Sequence, residues 1–200
     1  MGAQQRGEET RSRILEAAQT CFAEDGFDGA SVAEICSRAG ISKGAFYHHF
    51  DTKQQVFSEL LGRWLDGLDG QLEALSAGTA PVPQRLVSMA GMVRPVFEVA
   101  GEQLPIFLEF MGKAVRDPEV WKATIAPYRR YRAFFSAMVE EGIAEGSLHQ
   151  VDAEMAAQVV VSLAVGLVLQ GVLDPTGADW GEVAEHGMRI LVDGLALGDN

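Results

Sequence analysis

Between residues 42 and 53 the chain reads SKGAFYHHFDTK, a short run crowded with hydrogen-bond donors. Lys43 can donate to guanine O6 and N7 or to a phosphate oxygen. Ser42, Tyr47, His49 and Lys53, with Ser31 upstream, are donors of the kind that hold phosphates. Gly44 has no side chain, so the helix start can approach a base edge or a phosphate closely. Ser42 and Lys53 also stand where helices are expected to start, a place that favours anions. Two readings stand for Ser31, Ser42 and Thr52: helix caps alone, or caps that also touch phosphate. Tyr47 is likewise either a donor or a surface aromatic.

Covalent or metal chemistry has no comparable set. His48 and His49 are adjacent, and neighbouring helical residues point about 100° apart, which suits no shared ion. His149 and His186 have no Cys or carboxylate at metal spacing. There is no G-x-S-x-G, no Walker loop and no H-E-x-x-H. No enzyme activity, no metal and no cofactor are expected.

The elements that must carry these donors are helices, and no convincing alternating pattern marks a strand. The expected fold is all-α, with about nine helices. A first helix covers about 9–25, with Ile14, Ala18, Cys21 and Phe22 on one face and Gly26 at its end. Ser31-x-x-Glu34 reads as a capping box for a second, short helix that Gly40 closes. Ser42 caps a third, ending near Phe50, on which Phe46 and Phe50 face inward and Lys43 and Tyr47 share another face. Helix, glycine-containing turn, helix over 31–50 is the helix-turn-helix arrangement, whose second helix lies in the major groove of DNA. Thr52-x-x-Gln55 opens a long fourth helix to about Leu75, in which Gly62, Gly67 and Gly70 mark places to bend. Residues 76–83 (SAGTAPVP) form a loop. Further helices are expected near 84–100, 104–116, 118–145, 152–173 and 179–197, with kinks or breaks at Pro95 and Pro127.

The stretch TRSRILEAAQTCFAEDGFDGASVAEICSRAGISKGAFYHHFDTKQQVFSELL, about residues 10–61, resembles the DNA-binding region of the TetR family of transcriptional regulators. The resemblance implies an all-helical homodimer that binds a palindromic double-stranded operator. Its domains would be a helix-turn-helix head over 1–52 and an effector-binding and dimerisation domain over 53–200. Lys43 and Gly44 resemble positions that approach bases. Tyr47, His49 and Lys53 resemble positions that hold phosphates, Ser31 and Ser42 resemble backbone contacts at helix starts, and His48 matches a variable position that touches either. Ala45 departs from the pattern by removing a side chain that often reads a base, and Asp51 sets an acid beside Lys53. The stretch RDPEVWKATIAPYRRYRAFFSAMVEEGIAEGSLHQVDAEMAAQVVVSLAVGLVLQGVLDP is more loosely similar to the C-terminal half of the choline-responsive repressors of that family, and choline is not inferred from it. Repression is the family-level expectation. Without a DNA role, the chain would be a dimeric helical binding protein, and Lys43 and Tyr47 discriminate the two.

The second half is rich in large apolar side chains at helical spacing. Trp121, Ile125, Tyr128, Tyr131, Phe135 and Met138 form one stripe, joined by Ile106, Phe107, Phe110 and Met111 and by Met92, Val93, Val96 and Phe97. Such stripes are either core or the wall of a small-molecule cavity. Arg94, Glu98, Glu109, Tyr128, Tyr131 and Gln158 are the polar groups that would orient an effector there, and Glu98 and Glu109 either face it or are simply solvated. On the last helix Trp180, Val183, Ala184, Gly187, Ile190, Leu191 and Gly194 make another stripe. Set against Val159, Ser162, Val165, Gly166 and Leu169 across a two-fold axis, it would build an intersubunit four-helix bundle.

Charge and composition bound these readings. The net charge is −12 over 200 residues, so the surface as a whole does not coat nucleic acid. Residues 1–55 carry only −2 of it (six Lys/Arg against eight Asp/Glu). Cys21 and Cys36 are too few for a disulfide framework and read as small buried hydrophobes. The polar start, MGAQQRGEETRSR, has no secretory apolar stretch, so a reduced cytoplasmic setting is expected. Met155–Leu173 is uncharged and near the lower length for a membrane span. Its stripe of Gln158, Ser162, Gly166 and Gln170, and its acidic flanks without Lys or Arg, make it a core helix that meets a partner subunit instead.

Overall fold

The computed structural model describes residues 2–94, 96 and 104–196. The helices are α1 (Gly2–Gly29), α2 (Val32–Ala39), α3 (Lys43–His49), α4 (Lys53–Ser76), α5 (Val82–Ala90), α6 (Leu104–Ala114), α7 (Pro118–Ala144), α8 (Ala153–Leu173) and α9 (Trp180–Leu195). The described residues contain no strand, only an isolated antiparallel bridge between Leu148 and Ala196.

Local chemistry sets most of the boundaries. The Ser31 hydroxyl accepts from the Glu34 amide while the Glu34 carboxylate accepts from the Ser31 amide at 2.8 Å, the reciprocal box that starts α2. Gly40 closes α2 in the left-handed region (φ 62°), a backbone conformation that favours glycine. Ser42 caps α3 through the Ala45 amide. Asp152 and Asp179 do the same for α8 and α9. The start of α4 is a displaced box: Thr52 accepts from the Gln55 amide, but the Gln55 carboxamide reaches back to the Asp51 amide at 2.7 Å. Pro127 sits inside α7, which runs through it to Ala144, whereas Pro95 lies outside the described residues. Beyond its expected start, α1 extends back to Gly2, and Gly26 (φ 73°, ψ 171°) breaks its helical run.

By contacts the chain forms two compact units. The first is 1–67 with 105–123; the second is 68–104 with 124–200. The expected division at 52/53 falls inside the first unit, between α3 and α4, while α4 itself belongs to both.

The core of the first unit gathers Ile14, Leu15, Cys21, Phe22, Ile35, Phe46 and Val56, all nearly or fully inaccessible. Its centre is an aromatic cluster in which Phe22, Phe27 and Phe57 lie 5.3–6.0 Å apart, ring centre to ring centre. Burial pushes the Cys21 and Cys36 thiols above their ordinary range, which keeps both as unreactive packing groups.

The core of the second unit is built by α5, α7, α8 and α9, with Val82, Leu86, Phe135, Met138, Val139, Val160 and Val192 among its members. Buried Arg85 spans it by donating to the Ser76 carbonyl and the Glu141 carboxylate. By length and composition α8 is apolar enough to cross a membrane. In this fold it buries Ala156, Ala157, Val160, Val161 and Leu167 and leaves Met155, Val159, Val165, Leu169 and Leu173 exposed.

Candidate nucleic-acid interface

Helix α3 has two faces of opposite character. Phe46 is fully buried and Phe50, its C-terminal cap, nearly so, their rings 6.1 Å apart. These two fix the helix against the core. Opposite them Ser42, Lys43, Gly44, Tyr47 and His48 are exposed, with Tyr47 at 53%. Among the described residues, a β-carbon on Gly44 would meet only the Ser42 hydroxyl, at 3.8 Å, so the helix start is open to close approach. Ala45 is half-buried beside it, and Ser31 is exposed at the start of α2. His49 is half-buried, its ring 5.2 Å from that of His48. No group of three or more metal-ligating side chains occurs among the described residues.

Lys53 has a different place from the one expected. Its ammonium is turned inward, donating to the carbonyls of Phe27 at 2.5 Å and Ala30 at 2.6 Å, and lies 4.6 Å from the centre of the Phe27 ring. Those acceptors answer the ammonium's own donors, so its side chain leaves the phosphate-facing set. The same joint is held by Glu109 of α6. Its two carboxylate oxygens accept from the amides of Phe27 at 2.8 Å and Asp28 at 2.9 Å, immediately after the break at Gly26. Glu109 therefore binds backbone and is neither free in solvent nor turned to an effector.

The residues expected to line an effector cavity do not all come together. Phe135 and Met138 are packed in the core of the second unit, against which Tyr128 and Tyr131 stand half-buried. Burial, with Asp69 adding and Arg130 opposing, pushes the Tyr131 hydroxyl far above its usual range. Its oxygen is enclosed, close enough to Asp69 to feel that charge but outside ordinary hydrogen-bond geometry, and Asp69 pairs with Arg130 at 2.8 Å. Burial likewise raises Tyr128. Two expectations are corrected. Arg94 is exposed and spends its guanidinium on Asp179 (2.8 and 3.0 Å), buttressing the cap of α9. Gln158 is exposed on α8, accepting from Arg132 at 3.2 Å. Trp121 is 44% exposed and Met111 half-buried, both in the first unit. Phe107 and Phe110 belong to α6 with side chains outside the described residues, where Phe97 and Glu98 lie altogether.

The expected dimer stripe also divides. Val159, Ser162, Val165, Leu169, Val183 and Ile190 are exposed, Ile190 at 74%, and Gly166 is half-exposed among them. Ala184, at 1%, faces the chain's own core instead, and Leu191 packs against the same core. Trp180 is half-buried and donates its indole N–H to the Asp174 carbonyl, and a β-carbon on Gly187 would meet Leu163 of the same chain at 3.5 Å. Each of these four has a neighbour within the single chain.

Residues 14–60 match the model of bacterial regulatory proteins of the tetR family, and residues 82–197 match that of the C-terminal part of BetI-type transcriptional repressors. The chain belongs to the TetR family. It is a transcriptional regulator with an N-terminal helix-turn-helix head. Among curated TetR-family relatives, the HTH-type transcriptional regulator UidR of Escherichia coli K12 is 25% identical over 192 residues, covering 93% of this chain and 92% of that protein. The HTH-type transcriptional repressor KstR2 of Rhodococcus jostii is 25% identical over 191 residues, covering 95% and 93%. A regulator from Saccharomonospora viridis, solved in complex with choline, superposes with a TM-score of 0.81 at 20% identity, over 96% of this chain and all of that one, a likeness of fold.

Sequence reasoning on this TetR-family chain missed the clamp on the Gly26 joint. Glu109 and Phe27 are 82 residues apart, and no local pattern couples a carboxylate to distant amides. It also missed Arg13, whose guanidinium donates to the carbonyls of Ala39 and Gly40 in the helix-turn-helix turn.

Proposed function

We propose that this protein is a ligand-responsive repressor that binds a palindromic operator as a homodimer in the cytoplasm and releases it when a small, largely apolar effector binds. The observation that carries the reading is α3: its aromatic face is locked into the core while Ser42, Lys43, Gly44, Tyr47 and His48 stand clear on the other side. A helix held this way has a fixed bearing and a free donor surface, which is what reading a major groove demands. Lys43 and Gly44 approach base edges. Ser31, Ser42, Tyr47 and His49 hold phosphates, and His48 touches either.

Dimerisation is supported by the exposed apolar residues of α8 and α9, in the unit that does not contain α3. Two heads on one rigid dimer match a two-fold operator. For the effector, the half-buried tyrosines 128 and 131 beside a Phe- and Met-rich core supply apolar walls with a buried hydroxyl to orient a polar group. Helix α4, shared by both units, carries the change to the heads. Only an effector with unequal affinity for the bound and released arrangements can drive it. We assign the chain no catalytic role.

The test is to select bound duplexes from a random-sequence pool and to compare variants on the enriched sequence. Lys43→Ala and Tyr47→Ala should each abolish retention of that duplex and leave the dimer mass in sedimentation unchanged. Retention that survives both substitutions overturns the assignment of α3.

A further inference from the structure

We propose that Arg6, on the first turns of α1, is an additional phosphate-binding residue that clamps DNA beside the C-terminal end of α3; this rests on α3 being the DNA-reading helix. Residues 2–13 form more than three turns of helix ahead of the first buried residue, Ile14. They are too polar to be there for the core, and their contacts show where they lie. Arg13 donates to the carbonyls of Ala39 and Gly40, just before α3 begins. Arg11 lies 4.6 Å from the centre of the Phe50 ring and pairs with Glu59, just after α3 ends. A β-carbon on Gly7 would stand 4.0 Å from Cε1 of His49, the last residue of α3. Residues from the start of α1 therefore reach both flanks of α3: Arg13 the turn before it, Arg11 and Gly7 its C-terminal end.

Arg6 is the chain neighbour of Gly7, at the C-terminal end of α3. It is seven residues from Arg13, so the two share a face about 10 Å apart, on the side that meets the turn into α3. The difference between them is what they hold. Arg13 and Arg11 spend their guanidinium groups on the protein. Arg6 is exposed, and the one hydrogen bond of its guanidinium among the described residues runs from Nε to the Gly2 carbonyl at 2.9 Å. Neither Glu8 nor Glu9 pairs with it. That bond steadies the side chain and leaves the terminal nitrogens free, a fork suited to phosphate oxygens. With the N-terminal end of α3 directed at base edges, its C-terminal end meets the flanking backbone, where such a fork adds affinity without sequence preference.

The experiment measures affinity for a mixed-sequence duplex by fluorescence anisotropy across about 50 to 200 mM salt, for wild type, Arg6→Ala, Arg6→Lys, Lys43→Ala and Arg189→Ala. Arg189, on α9 and paired there with Glu185, is the control for losing one positive charge. Arg6→Ala should flatten the dependence of log K on log salt by about one for each Arg6 that touches phosphate. Arg6→Lys should keep the wild-type slope, as should Arg189→Ala. An Arg6→Ala slope equal to wild type, or an equal flattening by Arg189→Ala, overturns the assignment. Lys43→Ala flattening the slope while Arg6→Ala does not leaves α3 as the reading helix and removes Arg6 alone. Wild-type protein that binds no duplex overturns both readings.

Discussion

Glu109 answers two backbone amides at once, and the Phe27 amide belongs to a buried residue at a break in the helix. A carboxylate is suited to this because it accepts at both oxygens and its charge strengthens each bond. Removing it strands a donor where water is scarce, which costs more than the net worth of an ordinary hydrogen bond. Glu109→Ala should therefore lower unfolding free energy by about 1–3 kcal/mol in urea titration. Glu109→Gln, which retains a neutral acceptor, should lose less. Equal stability of all three proteins would show that the carboxylate merely rests on the joint. Neither Glu109 nor Lys53 announced this role in the sequence: acidic and basic residues on helices usually face solvent, and only the folded chain shows that each is aimed at the same few peptide groups.

Helix starts are where the sequence was most legible, because a cap is a contact between residues three apart. The Ser31–Glu34 box, the Ser42 cap and the left-handed Gly40 all stand where local spacing placed them. The back-extension of α1 to Gly2 was illegible for the opposite reason: residues 2–8 have no apolar periodicity, and the neighbour that Gly7 meets there, His49, is far away in sequence. The caps also predict a response to acid. Hydrogen bonds from Ser31 hold Glu34 below the usual carboxylate range, those from Ser147 and the Val82 amide do so for Glu145, and those from the Glu182 amide and Arg94 for Asp179. Each is favoured ionised in the fold, so its contribution is fully present above the ordinary carboxylate pKa, about 4, and is lost as pH falls through the lowered value. The urea midpoint should hold between about pH 7 and 5 and drop below about 4. A variant carrying Glu34→Gln, Glu145→Gln and Asp179→Asn should show a shallower acid limb, and an unchanged limb would assign the loss to other groups.

For the molecule as a whole, the apolar periodicity of the last two helices revealed that they are amphipathic without revealing which side the chain itself covers. Ala184 and Leu191 turn to their own core while Val183 and Ile190 face outward, a distinction of one helical step that no single-chain pattern resolves. The outward set makes a prediction. Val159→Glu with Ile190→Asp places charge on exposed side chains, so the monomer fold should survive, as circular dichroism reads, while sedimentation shows the dimer dissociated. Persistence of the dimer would move the interface elsewhere. The placement of residues 105–123 in the same compact unit as the head has a practical bearing on engineered regulators. A chimera that transplants residues 1–67 onto a foreign sensor severs the chain from its own α6, leaving the Phe27 and Asp28 amides without their acceptor. Such a graft should work only where the recipient presents an acid at the matching place, so the transferable module is two segments of the chain rather than one.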